Sequence, residues 1–178
     1  GIATYTNNLV KIIADTPARL LDTRKTTPCV RVLEKMAVKI GGAVNHRFGL
    51  YDMIMIKDNH IDAAGSISTA IGLAQKYVIE QKKELKIEVE ARSLQDVQEI
   101  LRCDNVHRIL LDNFSVEQTK QAVQLINGFC ETESSGMINE ETIRAYAETG
   151  VDYISCGALT HQIKSLDLSL TITKINAG

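Results

Sequence analysis

Short apolar runs alternate with amphipathic stretches along most of the chain. Six of these runs have the length of strands and are rich in Ile, Val, Leu or Met. They lack polar alternation, which is typical of parallel strands that are covered on both faces. The runs lie at residues 18–21, 53–56, 85–89, 107–111, 128–133 and 151–155.

Between the runs, apolar residues recur with a period close to that of an α-helix. The first residues of the chain also lie in a helical pattern. Ser93, Ser115 and Asn139 stand where N-caps belong. Pro28 suits the start of a helix and Gly150 the end of one. The periodicity predicts helices over residues 29–40, 67–77, 94–101, 116–126 and 143–147.

About six βα units predict an α/β fold, either a (β/α) barrel or an open doubly wound sheet. Because a full barrel has eight units, we expect an incomplete, TIM-like (β/α) barrel. No Pro-, Gly- or Ser-rich linker divides residues 1–178, which predicts a single domain.

Composition narrows the class of protein. The 178 residues carry 20 Lys and Arg against 22 Asp and Glu, a formal net charge of −2 that gives no reason to expect a nucleic-acid partner. The apolar runs are far too short to span a membrane. The 4 cysteines are scattered, with no metal-ligand spacing, so we expect reduced thiols in a cytoplasmic protein.

Charged residues follow almost every apolar run. Because the carboxyl ends of barrel strands meet at one face, these side chains are expected to share a pocket. A pocket with five cations beside two carboxylates suits a polyanionic substrate that carries phosphates or several carboxylates. The residues concerned are Arg24, Lys25, His46, Arg47, Lys57, Glu90 and Asp112.

The acidic residues allow several roles. Glu90 and Asp112 can hold Mg²⁺, bind sugar hydroxyls or stabilise a developing positive charge. Glu88 lies on the same strand face as Glu90, and we interpret Glu88 as a structural ion pair and Glu90 as a site residue. Asp112 is placed in the site because Ser115 is the better cap for the next helix. Ser135, Gly136 and Gly157 can offer backbone N–H groups to a phosphate.

Three further residues need an assignment. His107 opens a strand at the opposite end of the sheet and is interpreted as structural. His161 follows the last strand, and the structural and functional interpretations both stay open. Cys156 has no partnered base, so a buried core thiol is favoured over a nucleophile.

Seven segments resemble the quinolinate phosphoribosyltransferases, also called carboxylating nicotinate-nucleotide pyrophosphorylases, in their C-terminal barrel portion. The segments keep the family's order along essentially the whole chain. They are LDTRKTTP at 21–28, NHRFGLYD at 45–52, IKDNH at 56–60, EVE at 88–90, LLDNF at 110–114, ESSG at 133–136 and SCGALT at 155–160.

The resemblance implies phosphoribosyl transfer from phosphoribosyl pyrophosphate to quinolinate, with Mg²⁺ as cofactor. The products are nicotinate mononucleotide, pyrophosphate and CO₂, in de novo NAD biosynthesis. By similarity, the quinolinate carboxylates are bound by Arg24, Thr26, His46, Arg47 and Lys57. The implied catalytic residues are Lys25, Lys57, Glu90 and Asp112, of which Glu90 and Asp112 also hold the metal. The 5′-phosphate is bound by Ser135, Gly136, Met137 and Gly157.

The resemblance also implies a homodimer or a higher homo-oligomer, since family members share each site between subunits. Their N-terminal domain, which this chain does not contain, donates an Arg to the neighbouring site. The chain departs from the family at Met137, where many relatives have a second glycine, and at Cys29, where Pro-Gly is expected after the Thr pair. Met137 can still donate its backbone N–H unless the turn requires a positive φ there, and we expect Cys29 to be tolerated as a helix-starting residue.

Three alternatives stay open at this point. The first is a phosphoribosyltransferase for another carboxylate ring, although His46 and Arg47 exceed what one carboxylate needs. The second is an aldolase that uses Lys57 as a Schiff base, which requires an apolar pocket around this lysine. The third is a fragment that binds ligand without turnover.

Overall fold

The computed structural model describes residues 1–161, 163–164 and 166–172. Helices and strands alternate along the chain, as the hydrophobic pattern predicts. The strands are β1 Arg19–Leu21, β2 Ile54–Ile56, β3 Ile87–Ala91, β4 Arg108–Asp112, β5 Glu131–Ser135 and β6 Tyr153–Ser155. The helices are α1 Ile2–Ile12, α2 Arg31–Ile40, α3 Asp58–Ala64, α4 Ile67–Glu80, α5 Leu94–Ile100, α6 Val116–Ile126, α7 Ile143–Ala147 and α8 Ala158–His161.

The six strands form one parallel sheet in the order β1-β6-β5-β4-β3-β2. This is the cyclic order of a barrel that stays open between β1 and β2. Within the described residues only an isolated bridge, between Leu21 and Val44, extends the sheet into this opening. The prediction of an incomplete TIM-like barrel is therefore confirmed. That residues 1–178 form a single domain stays a prediction.

The two faces of the sheet differ in chemistry. On the outer face, side chains such as Val89, Ile109 and Ile154 are buried in two apolar clusters with the helices. On the inner face, the strand register places Glu88 beside Arg108, and Leu110 between Glu90 and Glu133. Barrel interiors are usually filled by branched apolar residues. The inner face of this sheet is instead polar, which indicates that its side chains support the site at the carboxyl edge of the sheet.

Two of the predicted helix-start signals, Ser93 and Ser115, are N-caps in the structure. Ser93 and Ser115 accept the N–H of the third helical residue, as N-caps do. Asn139 instead caps a turn, since its side-chain oxygen accepts from Glu141 and Thr142 before α7 begins. Within the described residues, no helix is both long and apolar enough to span a bilayer.

Two boundary predictions are wrong, each because the backbone enters the left-handed region. The strand predicted at 128–133 begins only at Glu131, since Asn127 and Gly128 have φ of 44° and 77° and form a turn. The helix predicted from residue 29 begins at Arg31, since Cys29 has φ 66°. The short helix α3 was missed, because its residues were interpreted only for their chemistry.

Candidate active site

Seven side chains that the sequence predicts to share a pocket line one cavity of about 320 Å³ at the carboxyl edge of the sheet. They are Arg24, Lys25, His46, Arg47, Lys57, Glu90 and Asp112. Five cation-forming groups thus share this space with three carboxylates, those of Glu90, Asp112 and Glu133. The predicted convergence is confirmed.

A second cavity, of about 820 Å³, adjoins the first and shares Lys25, Lys57, Glu90 and Asp112 with it. It continues toward the ends of β5 and β6. There it is lined by the remaining predicted residues Ser135, Gly136, Met137 and Gly157, together with His161. The site is therefore a cleft with a basic end and a glycine-rich end. His161, left open by the sequence, lies at the glycine-rich end.

Thr26 lies apart from both cavities. Its hydroxyl accepts a hydrogen bond from Arg31 Nε at 2.9 Å. The same guanidinium donates to Arg24 O at 3.2 Å and to Phe48 O at 3.1 Å. Arg31 therefore ties the loop after β1 to the loop that precedes β2. Sequence reasoning missed Arg31, since nothing distinguishes it from a solvent-exposed residue in the first turn of a helix.

A buried ion pair fills the opening between β1 and β2. Lys35 Nζ lies 2.6 Å from Asp22 Oδ1, and the two side chains are 4% and 0% exposed. Both groups also hold the backbone of His46, because Asp22 Oδ1 accepts from its N–H and Lys35 donates to its carbonyl oxygen. Asn45 donates to the other Asp22 oxygen at 2.6 Å. The pair therefore fixes the segment that carries His46 and Arg47.

Arg47 is anchored at the edge of β2. Its guanidinium donates to Met53 O at 3.1 Å and approaches Met55 Sδ at 3.6 Å. Burial lowers the pKa of Arg47, and the nearby positive charge of Arg24 lowers it further. An anion bound between Arg24 and Arg47 would relieve this repulsion.

Lys57 and Glu90 form an ion pair at the centre of the cleft. Lys57 Nζ lies 2.6 Å from Glu90 Oε2, with side-chain exposures of 46% and 7%. Glu90, interpreted from the sequence as a site residue, thus lies in the cleft and is also ion-paired there. A Schiff-base lysine needs a desolvated apolar pocket, whereas Lys57 is half-exposed and paired with a carboxylate. The geometry thus disfavours the aldolase alternative.

Asp112 is oriented from two sides. Ser135 Oγ donates to Oδ1 and Asn113 Nδ2 donates to Oδ2, both at 2.8 Å. Asn113 also packs on Gly136, where an added Cβ would lie 2.2 Å from Asn113 Oδ1. Gly136 has φ 106° as well, so both the space and the backbone require glycine here.

Met137 shares this left-handed turn with φ 45°, and its side chain is 94% exposed. Both departures from the family pattern, Met137 and Cys29, thus occupy backbone positions that favour glycine. The sequence left open whether the turn at Met137 needs positive φ, and it does. The expectation for Cys29 as a helix-starting residue is wrong, because α2 starts two residues later.

Beneath the basic end lies a buried group that we call the floor cluster: His46, Glu88, Arg108 and Glu133. His46 Nε2 lies 3.1 Å from Glu88 Oε2 and 3.3 Å from Glu133 Oε2, and these side chains are 4%, 0% and 0% exposed. Arg108 Nη1 donates to Glu133 Oε2 at 2.9 Å. The ion-pair role predicted for Glu88 is confirmed. Glu133 was missed as a site residue because its run was interpreted as part of a phosphate loop.

The floor cluster binds a proton tightly. Burial disfavours the cationic form of His46, but its contacts with Glu133 and Glu88 outweigh burial and raise its pKa to about 9. Burial, and then the charge of Glu133, raise the pKa of Glu88 to about 7. His46 Nδ1 accepts the Arg47 N–H at 2.6 Å, so the neutral ring carries its proton on Nε2, between the carboxylates. We assign the additional proton to the cluster as a whole.

Two residues have the structural roles that the sequence indicates. His107 Nδ1 accepts the Ile87 N–H at 3.1 Å, at the amino end of the sheet. Cys156 is buried, its Sγ lies 3.3 Å from Ile138 O, and burial raises the pKa of its thiol. A thiol in this state is a poor nucleophile. All 4 cysteines are free.

Comparison with known proteins gives a consistent result. The family model described as quinolinate phosphoribosyl transferase, C-terminal domain, matches residues 2–171. A chloroplastic nicotinate-nucleotide pyrophosphorylase (carboxylating) of Oryza sativa subsp. japonica is 47% identical over 97% of this chain and 50% of its own. A mitochondrial quinolinate phosphoribosyltransferase (decarboxylating) 2 of Nicotiana glauca is 45% identical over 97% of this chain and 52% of its own.

Solved structures agree. NadC from Streptococcus pyogenes superposes with a TM-score of 0.87 at 46% identity, over 94% of this chain and 57% of that one. The nicotinate-nucleotide pyrophosphorylase from Francisella tularensis gives a TM-score of 0.89 at 44% identity, over 95% and 59%. The chain spans about half the length of the curated relatives it matches. With a family model that covers nearly the whole chain, this chain belongs to the quinolinate phosphoribosyl transferase family.

Proposed function

We propose that this chain forms the catalytic barrel for transfer of a phosphoribosyl group from phosphoribosyl pyrophosphate to quinolinate, with decarboxylation to nicotinate mononucleotide as in de novo NAD biosynthesis. One observation carries the proposal: Arg24, Arg47 and Lys57 line one cavity that lies next to a glycine-rich cavity. The first cavity suits an aromatic dicarboxylate, and the second suits a sugar phosphate.

In the basic cavity, Arg24 and Arg47 bind the two carboxylates of quinolinate. Guanidinium groups can do so bidentately, and they remain charged in a partly buried site. Lys57 and Lys25 line both cavities, so they lie where the pyrophosphate must leave and can neutralise its charge. The quinolinate ring nitrogen then attacks C1 of the ribose as the bond to pyrophosphate breaks.

Asp112 and Glu90 stabilise the positive charge that develops at the ribose ring during this transfer. The backbone N–H groups near Ser135, Gly136, Met137 and Gly157 receive the 5′-phosphate. Asp112 and Glu90 also fit Mg²⁺, which usually takes one or two protein carboxylates and completes its shell with phosphate oxygens and waters. When bound, the ion would neutralise pyrophosphate charge.

After transfer the pyridine ring is quaternised. The bond between the ring and the 2-carboxylate breaks, CO₂ leaves, and the bonding electron pair stays on the ring carbon until a proton replaces it. The positive ring nitrogen stabilises this electron pair. Release of the 2-carboxylate from its guanidinium partner is the protein's contribution, because a carboxylate held in an ion pair is a poor precursor of neutral CO₂.

The experiment mixes the chain with quinolinate, phosphoribosyl pyrophosphate and Mg²⁺ and follows nicotinate mononucleotide and CO₂. Product from quinolinate supports the proposal, whereas product from nicotinate alone refutes it. Quinolinate binding without turnover would support the ligand-binding fragment. Arg24→Lys and Arg47→Lys should weaken quinolinate more than phosphoribosyl pyrophosphate, with Arg19→Lys, exposed at the other end of β1, as the control.

We further propose a homo-oligomer, at least a dimer, built on helix α2. Its outward side chains form an apolar stripe: Val32, Leu33, Met36 and Ile40 are 65%, 60%, 54% and 71% exposed. Exposed apolar patches of this kind usually mark protein interfaces. The four free cysteines support a reducing, cytoplasmic compartment.

A further inference from the structure

Glu88 presents a problem that the proposed reaction does not solve. Its carboxylate is fully buried, yet within the described part of the chain neither oxygen accepts a hydrogen bond of ordinary geometry. Buried polar groups are nearly always hydrogen-bonded, and a buried carboxylate without donors is destabilising. The nearest cation-forming group is His46 Nε2, 3.1 Å away. We therefore explain the position of the Glu88 carboxylate by its effect on the orientation of the His46 ring.

Hydrogen bonds hold the backbone N–H, the carbonyl oxygen and the ring nitrogen Nδ1 of His46, whereas Nε2 lies close to two glutamate oxygens without a hydrogen bond of ordinary geometry. Asp22 accepts its backbone N–H at 2.7 Å, and Lys35 donates to its carbonyl oxygen at 3.0 Å. The ring nitrogen Nδ1 accepts the N–H of Arg47 at 2.6 Å, and Nε2 points to the two glutamates. The orientation of the ring and the backbone at Arg47 are therefore coupled.

Among the described residues of this arrangement, Glu88 and Glu133 are the two that approach the ring at Nε2. Glu88 comes from β3 and Glu133 from β5, so Nε2 lies between strands on the two sides of β4. Arg108 on β4 keeps Glu133 in place and approaches no atom of His46 within the contacts of the described residues. Removing Glu88 would free the ring to turn away from Arg47.

We propose that Glu88 and Glu133 are positioning residues that hold the His46 ring and, through the Arg47 N–H, keep the Arg47 guanidinium aimed into the basic cavity. Glu88 is fully buried below the cavity, whereas Glu133 also lines the cavity and acts here through the His46 ring. The proposal rests on the proposed function only for the ligand, quinolinate. The coupling between Glu88, His46 and Arg47 is a property of the chain alone.

The test measures quinolinate and phosphoribosyl pyrophosphate binding to the 178-residue chain by calorimetry. Glu88→Ala should weaken quinolinate about tenfold, the size expected for a slightly misplaced binding group, and leave phosphoribosyl pyrophosphate nearly unchanged. Glu88→Gln, which fills the same space and keeps an acceptor, should restore most of the loss. The matched control is Glu131→Gln, because Glu131 also binds Arg108 but lies outside the floor cluster.

A double-mutant cycle separates positioning from a general loss of structure. If Glu88 acts through His46, then Glu88→Ala should have no further effect on quinolinate binding in a His46→Ala background. Additive losses would overturn the proposal. So would unchanged quinolinate binding in Glu88→Ala, or equal losses for both ligands.

A second readout needs no ligand. In ¹⁵N NMR spectra, Glu88→Ala should move the His46 ring and Arg47 amide signals, whereas Glu131→Gln should leave them in place. Unmoved signals would overturn the proposal even if quinolinate does not bind, and that absence of binding would separately refute the proposed function.

One ligand atom each of His46, Glu88 and Glu133 lies within 4.8 Å of the others. Uptake of one equivalent of Zn²⁺ that Glu88→Ala abolishes would show a metal site instead.

Discussion

The floor cluster should make the stability of the fold depend on pH near neutrality. Contacts with Glu133 and Glu88 raise the pKa of His46 from 6.5 to about 9. The folded chain therefore binds this proton more tightly than the unfolded chain does. The resulting stabilisation is complete below pH 6.5 and is lost as the pH rises toward 9.

The size of the effect follows from the shift. Each pKa unit corresponds to about 1.4 kcal/mol, so the free energy of unfolding should fall by about 2 kcal/mol between pH 6.5 and 8.5. The measurement stops at pH 8.5 because burial also raises the pKa of Cys130, to about 11, and such thiols would add a loss of the same sign above that pH. Glu88, with its pKa raised to about 7, adds a similar loss between pH 4.5 and 7.

The assay is urea denaturation at half-unit pH steps, on the wild-type chain and on the double variant His46→Gln/Glu88→Gln. Both replacements are needed, because loss of the His46 cation alone would raise the pKa of Glu88 further and let that buried carboxylate bind the proton instead. With neither group able to titrate, stability should be nearly independent of pH over this window. Glu131→Gln serves as control, since it alters the Arg108 ion pair but not the contacts of His46. Equal slopes for wild type and the double variant would refute the reasoning.

Three other changes test separate parts of the site. Asp22→Asn should lower the free energy of unfolding by about 3 kcal/mol, because it leaves the Lys35 ammonium buried without its counter-ion. Replacing Lys35 with Met in the same chain should recover part of this loss, and urea denaturation measures both changes. Arg31→Lys keeps the charge but cannot serve three acceptors at once, so calorimetry should show quinolinate binding weakened on the order of tenfold with little change in melting temperature. Met137→Gly should stabilise the chain by about 1 kcal/mol by removing a side chain from a left-handed backbone position, while Met137→Ala should not, as thermal unfolding would show.

Much of the fold can be predicted from the sequence, because the hydrophobic periodicity of the segments agrees with the chemistry of the residues at their ends. The alternation of apolar runs and amphipathic stretches predicts the parallel sheet, and residues such as Lys57 and Asp112 follow from their places at strand ends. Boundaries were less predictable where positive φ decides them, as at Cys29 and Asn127. The dipeptide Asn127-Gly128 is typical of a left-handed turn and could have marked the first boundary, whereas no local signal marks such a conformation at Cys29.

The supporting residues of the site were the least predictable. Lys35 lies within an amphipathic helix, and its 3% exposure results from packing against residues distant in the chain. Glu133 and Arg108 look like ordinary charged residues until the strand register places them on the polar inner face. Sequence position shows which side chains reach the cleft, whereas the network that orients them depends on tertiary contacts.

The pairing of β1 with β6 has a consequence for how the protein is made. Arg19 on β1 lies next to Tyr153 on β6, so the strand that leads into Arg24 and Lys25 finds its partner only near the end of the chain. During synthesis β1 stays without its partner β6, while the neighbouring strand pairs from β2 to β5 can already form. Closing such a long loop is slow compared with local pairing. We therefore expect the substrate cleft to be assembled last, and a nascent chain that ends before β6 to lack the β1–β6 pairing below it.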